Sequence, residues 1–305
     1  MEEIAAGNAE EARRVAASHL AISQALLLDQ FDDGVVSAAP GASDSPSSPP
    51  ATPGSDMPRR SHLLQELGFA VRQDGETLHG TASITPYMHV PGTDCLRASI
   101  LASWADMLCG LLSMRAFAGR VSVTLELDVH LYRPAPRSGT VTATGRAVKA
   151  GRSVFVGEVD FADARGEAFG FSAASFMAAP DATLRPPRLT SLEIAPQETL
   201  LSMPLAERAD CKRQAPGVAV LHKSEDGLNG AKTVHGGLIA LAAEEAVLSL
   251  APGTTLSSLA LRYLQPVRVG PAVATATVRD GLARVSLRDS GSGDRLAATA
   301  TTRTF

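Results

Sequence analysis

A long, almost uniformly apolar helix followed by four short strands occurs twice in this chain. That duplication restricts the possible folds more than any other feature. Residues 96–117 have helical length, no proline and one acid, Asp106. Residues 235–250 are again apolar nearly all round, with Glu244 and Glu245 as their only acids. A helix that is apolar on every side is a buried one. Four strand-like runs follow each: 121–132, 140–148, 153–161 and 168–177 after the first, and 256–263, 272–278, 283–287 and 296–304 after the second. Alternation is clear in Val121-Ser122-Val123-Thr124-Leu125, and Gly139, Gly151 and Gly166 lie in or beside the turns. Each leading strand ends on similar punctuation, Tyr132-Arg133-Pro134 and Tyr263-Leu264-Gln265-Pro266. Such self-similarity marks a repeated structural unit. The expected fold class is α+β, a long central helix wrapped by an antiparallel sheet, made twice.

The rest of the chain divides around these units. Residues 1–60 read as an N-terminal helix (1–31) and a linker (37–58) of Ser, Pro, Ala and Gly. A linker of that composition cannot bury a core. Residues 61–185 form the first expected unit and 186–305 the second. Hydrophobic residues make up 45% of the chain, enough for real cores, and the net charge of −4 provides no basic field for nucleic acid. Cys95, Cys109 and Cys211 fit neither a disulfide framework nor a CxxC metal site, so no metal is expected. The start Met1-Glu2-Glu3 lacks the basic and apolar regions of a signal peptide. No apolar run reaches the roughly 18 residues of a membrane span. These readings place the protein in the cytoplasm.

One stretch carries chemistry. Asn229 precedes His235-Gly236-Gly237 by six positions, and Glu244 follows His235 by nine. Glycines opening a helix permit close approach of a ligand to bare backbone N–H groups at the positive end of the helix dipole. Such groups suit an oxyanion developing on a thioester carbonyl. A carboxylate in the following turns is a candidate nucleophile or general base.

This pattern resembles the signature of the phenylacetate-pathway thioesterases, hotdog-fold enzymes of the 4-hydroxybenzoyl-CoA thioesterase superfamily. Those enzymes usually carry Asp where this chain has Glu244, and a related branch uses Glu. The resemblance implies a tandem double hotdog packed as an intramolecular pseudo-dimer. It also implies hydrolysis of acyl-CoA or similar thioesters, with coenzyme A as part of the substrate and no further cofactor. Assembly into homo-oligomers of double units is a further expectation.

In the family each active site draws its Asn and Gly from one unit and its carboxylate from the other. The first half keeps the acid, Asp106, but Arg97 stands at the His position, Ala98-Ser99 at the Gly pair and Pro91 at the Asn position. One composite site is therefore complete: Asn229, His235 and Gly236 with Asp106. The other, built around Glu244, is degenerate. The implied roles are Gly236 N–H as oxyanion donor, Asp106 as principal carboxylate and Glu244 as a secondary one. Asn229 orients water or the carboxylate, and His235 organises the loop. Gly237, Arg97 and Arg152 are candidate substrate-binding residues. Leu101, Trp104, Met107, Leu108, Leu241 and Leu248 suggest an apolar acyl tunnel. Two alternatives stay open: a non-catalytic acyl-thioester or lipid-binding module, and a hotdog dehydratase with His89 as base.

Overall fold

A computed structural model of the chain describes residues 62–118, 120–178, 192–229 and 233–305. The expected N-terminal helix and linker, the boundary at 185/186 and the three residues Gly230–Lys232 lie outside the described residues.

The elements follow in the order β1 (Ala70–Asp74), β2 (Thr77–Ser83), α1 (Ala98–Ala116), β3 (Ser122–Leu131), β4 (Thr140–Ala150), β5 (Val154–Ala162) and β6 (Ala168–Ala178). After a single helical turn at Leu205–Arg208 come β7 (Cys211–Ala215), β8 (Val218–Leu221), α2 (Gly236–Leu248), β9 (Leu256–Tyr263), β10 (Ala272–Arg279), β11 (Leu282–Asp289) and β12 (Arg295–Thr304). All eight strands expected after the helices are present, with ends moved by a few residues. Two hairpins, β1–β2 and β7–β8, precede the helices and extend the sheet beyond that expectation.

The described strands form one sheet, ordered β1-β2-β4-β5-β6-β3-β9-β12-β11-β10-β8-β7. Read inward from either edge, the order is the same in both halves. The halves join where β3 pairs antiparallel with β9, Leu127 opposite Leu261 and Val129 opposite Leu259. Those four side chains are buried and face the helices. Their neighbours face out, where Arg262 on β9 bonds Asp128 on β3 at 2.6 Å. This is the period-two alternation of a sheet with one wet face.

The two helices explain their own composition. α1 packs on β3, β4 and β5 on one side and on α2 on the other, and α2 packs on β8 and β10. Neither has a solvent face, so neither has a polar stripe. Trp104 on α1 is fully buried and stacks on Phe69 with 5.1 Å between ring centres. Leu101, Leu108, Leu241 and Leu248 are packed core side chains, joined by the nearly buried Met107. The three cysteines are free and buried.

Candidate active site at the junction of the two halves

The N-termini of α1 and α2 have the same local build. Arg97 caps α1 with φ −68° and ψ 140°; His235 caps α2 with φ −63° and ψ 142°. The N–H of Arg97 donates to the Met88 carbonyl and that of His235 to the Gly227 carbonyl, each at 3.1 Å. The loops ahead differ by one residue. Asn229 N–H donates to the Thr233 carbonyl, and in the first half Val90 N–H donates to the Cys95 carbonyl. Val90, rather than the Pro91 expected by counting, is thus the counterpart of Asn229. Val90 has no side-chain amide to offer in the place of Asn229's.

At the α2 end the motif residues converge. The Asn229 side-chain oxygen accepts from Thr233 N–H at 3.1 Å and closes the loop on itself. His235 Nδ1 accepts from Gly237 N–H at 2.9 Å, an N-cap formed by an imidazole. With Nδ1 accepting, the neutral ring carries its proton on Nε2. Gly237 N–H is therefore committed to the cap and is not a substrate donor. Among the described residues nothing accepts from Gly236 N–H, which stands at the positive end of the thirteen-residue α2.

Two contacts bring α1 to this point. A Cβ on Gly237 would collide with the Ser103 hydroxyl of α1 and approach Ser103 Cβ at 3.0 Å. Glycine at 237 is thus a requirement of helix-to-helix approach. Ser103 lies one turn before Asp106, whose carboxylate is buried and accepts from the Thr124 hydroxyl of β3 at 2.9 Å. The Tyr263 hydroxyl at the end of β9 donates to the Gly236 carbonyl at 3.1 Å. Burial pushes that phenol well up, and the Asp106 charge pushes it further. Asp106, from the first half, thus acts on the tyrosine that anchors Gly236, from the second. Burial raises the Asp106 carboxyl to about 6, with the Thr124 bond opposing the rise.

The other end is closed. Glu244 is wholly buried, and three groups of the α1 N-terminus bond it. Ala98 N–H, the counterpart of Gly236 N–H, donates to Glu244 Oε1 at 2.9 Å. The Ser99 hydroxyl donates to Oε2 at 2.7 Å and Arg97 Nη1 donates to Oε2 at 3.1 Å. Arg97 Nη2 lies 2.6 Å from Glu245, which also pairs with Arg213 at 2.6 Å. Burial alone would lower Arg97's proton affinity, but Glu244 and Glu245 outweigh it and hold the guanidinium charged.

Four other candidate residues have surroundings that differ from expectation. Arg97 is an interior ion-pair partner, fully buried, with no face for substrate. Glu244, expected as a secondary carboxylate, has both oxygens already bonded at the α1 N-terminus. Ala98 still has the N–H that a glycine would supply, and Glu244 occupies it. Arg152 is exposed in the β4–β5 turn and makes no ion pair with a described residue. His89 bonds the Arg137 carbonyl at 2.8 Å on the rim of the first half and takes no part in the Asp106 cluster.

Three residues outside the motif belong to the site: Thr124, Tyr263 and His62. Thr124 stood at a polar position of the alternating run on β3 yet is buried, and Tyr263 stood in the repeated punctuation. Nothing in the sequence singles out His62. Its Nε2 donates to the Leu228 carbonyl at 2.8 Å, and its ring meets that of His235 edge-on with 5.9 Å between centres. Among the described residues no group of three or more His, Cys, Asp or Glu is placed to hold a metal ion, and no helix is long and apolar enough to cross a membrane.

Comparison with known proteins agrees with this architecture. Residues 99–168 match the family model of the thioesterase superfamily. A 12:0-ACP thioesterase from Umbellularia californica superposes with TM-score 0.56 at 14% identity, covering 76% of this chain and 94% of its own. An acyl-ACP thioesterase from Bacteroides thetaiotaomicron superposes with TM-score 0.54 at 11% identity, covering 75% and 98%. At those identities the likeness establishes the hotdog fold. No curated protein matches the chain.

Proposed function

We propose that the chain hydrolyses acyl thioesters at a single composite site, with Asp106 as the reacting carboxylate and Gly236 N–H as the oxyanion donor. The observation that carries this reading is the contrast between the two helix N-termini. At one, the N–H is bonded by a buried carboxylate. At the other, the equivalent N–H has no acceptor among the described residues, and the carboxylate from the opposite half is a residue shorter by one methylene, bonded instead to Thr124.

The chemistry follows from that geometry. A thioester carbonyl directed at Gly236 N–H is polarised by the donor and by the α2 dipole. Asp106, with a carboxyl raised to about 6, is mostly ionised at neutral pH yet remains a useful base. It either attacks the carbonyl carbon, forming an anhydride that water opens, or takes a proton from the attacking water. Both routes release the thiol and the free acid. The tandem double-hotdog organisation, divided near residues 185/186, fits this division of labour. Coenzyme A is the carrier we favour, on the motif resemblance. The two neighbours described above are thioesterases of acyl-carrier protein, so both carriers belong in the test.

The test is thiol release from a panel of acyl-CoA and acyl-carrier-protein substrates by the native chain, Asp106→Asn and Glu244→Gln. The expected result is turnover by the native chain and by folded Glu244→Gln, and none by Asp106→Asn. Turnover that survives in Asp106→Asn and vanishes in Glu244→Gln would reverse the assignment. Acyl-CoA binding without thiol release by the native chain would make the protein a binding module.

A further inference from the structure

The segment at residues 62–67 lies ahead of β1 and outside the repeat, yet it is fastened to the loop that carries Asn229. Leu63 N–H donates to the Asp226 carbonyl at 2.8 Å. Arg208 grips Glu66 with Nε at 2.9 Å and Nη2 at 2.6 Å, and its Nη1 donates to Asp226 at 2.7 Å. Leu63 and Leu64, in the same segment, are buried in the core. The attachment crosses from the first half of the chain to the second.

His62 is the end of the clasp nearest the motif. Its Nδ1 accepts from Leu64 N–H at 3.3 Å, so the neutral ring holds its proton on Nε2 and donates it to the Leu228 carbonyl at 2.8 Å. That carbonyl shares a rigid peptide plane with the N–H of Asn229. The same N–H donates to Thr233 and so sets the turn leading to His235. The His62 ring also walls the edge of the His235 ring. The charged groups around it are Asp226, Glu66 and Arg208, and burial outweighs the two acids and keeps the imidazole neutral.

We infer that His62 is a positioning residue for the active site: through the Leu228 carbonyl and the His235 ring it fixes the loop that aims Gly236 N–H at the substrate. The inference rests on the thioesterase reading for its kinetic consequence, but the placement of His235 is measurable without turnover. A loop set loosely by about 1 Å costs up to roughly a hundredfold in rate through misalignment alone.

The experiment uses the full chain as His62→Leu and His62→Gln. Glutamine retains an N–H donor for Leu228 and leucine does not. Two measurements are made: kcat and KM for thiol release on the best substrate of the panel, and the imidazole nitrogen NMR signals of His235. The expected result for His62→Leu is a kcat lower by about tenfold or more, with KM within about twofold. Its His235 signals should depart from the single Nε2–H tautomer. His62→Gln should retain most of kcat and the native His235 pattern. A folded His62→Leu with native kcat overturns the inference. So does a slow His62→Leu whose His235 signals are unchanged. If the leucine variant does not fold, His62→Gln decides: native-like kcat and His235 signals support the role, and a large loss of kcat in that folded variant refutes it. If the native chain releases no thiol, the thioesterase reading fails, and the NMR comparison still judges the clasp.

Discussion

Asp106 should lower the stability of the fold it serves. Its carboxyl is buried, with one hydroxyl partner, and titrates at about 6 instead of the ordinary 3.8. The native state therefore keeps this proton through a pH range in which the unfolded chain has released it. A group of that kind favours the native state below the unfolded value and turns against it as pH rises through the folded one. At roughly 1.4 kcal/mol for each tenfold in proton affinity, the full penalty above neutrality is about 3 kcal/mol. At pH 5 about half of it has developed. Asp106→Asn has the same shape and no charge to desolvate, and its amide oxygen still accepts from Thr124. The variant should be more stable than the native chain by about 3 kcal/mol at pH 8, less about 1 kcal/mol for imperfect pairing of the new amide. The gain should shrink as pH falls towards 5. Urea unfolding at pH 5, 6.5 and 8, followed by circular dichroism, measures this directly. A variant that is equally or less stable at pH 8, or whose gain does not vary with pH, would refute the reasoning, because the carboxylate would then not be held against its desolvation.

The same shift fixes the pH dependence of activity: kcat/KM should rise with pH, half-maximal near 6, because the ionised form reacts. A profile flat down to pH 5 would remove Asp106 from the chemistry. Glu244→Gln leaves Arg97 buried with a weakened partner set and should cost about 3–5 kcal/mol in urea unfolding. The kcat of the molecules that remain folded should change little, and a loss of kcat without a loss of stability contradicts a structural role for Glu244. Gly237→Ala sets a methyl against Ser103 and should destabilise by about 1–3 kcal/mol. Adding Ser103→Gly should recover most of that, and strict additivity in the double-mutant cycle would show that the two residues do not meet.

The sequence made the fold legible because its strongest signals were periodic. Alternating strands and uniformly apolar helices are properties of burial, and burial is what the sheet and the paired helices impose. β7 escaped notice because it is short and polar, Lys212, Arg213 and Gln214 among its five residues, and takes its place from pairing with β8. The residues of the proposed site could be named from the motif spacing, with Asp106 set against Asn229, His235 and Gly236 from the other half. A role was not legible where it depends on partners distant in sequence. Arg97 stood among the candidate substrate-binding residues, but Glu244 and Glu245 lie against it. Ala98 looked like a lost glycine although its N–H is intact and occupied. His62 is a single histidine whose meaning comes entirely from the Leu228 carbonyl, 166 positions away.

The seam between β3 and β9 has a kinetic consequence of its own. When two separate hotdog subunits meet along such a seam, dilution separates them and dismantles any site shared between them. Here both edges belong to one polypeptide, so each half meets the other at a fixed local concentration set by the tether and not by the amount of protein in solution. If the proposed site is shared across this seam, its specific activity should not decline on dilution. The single chain also tolerates different residues at the two ends of its pseudo-symmetric frame, since a change at Glu244 is not copied automatically to Asp106.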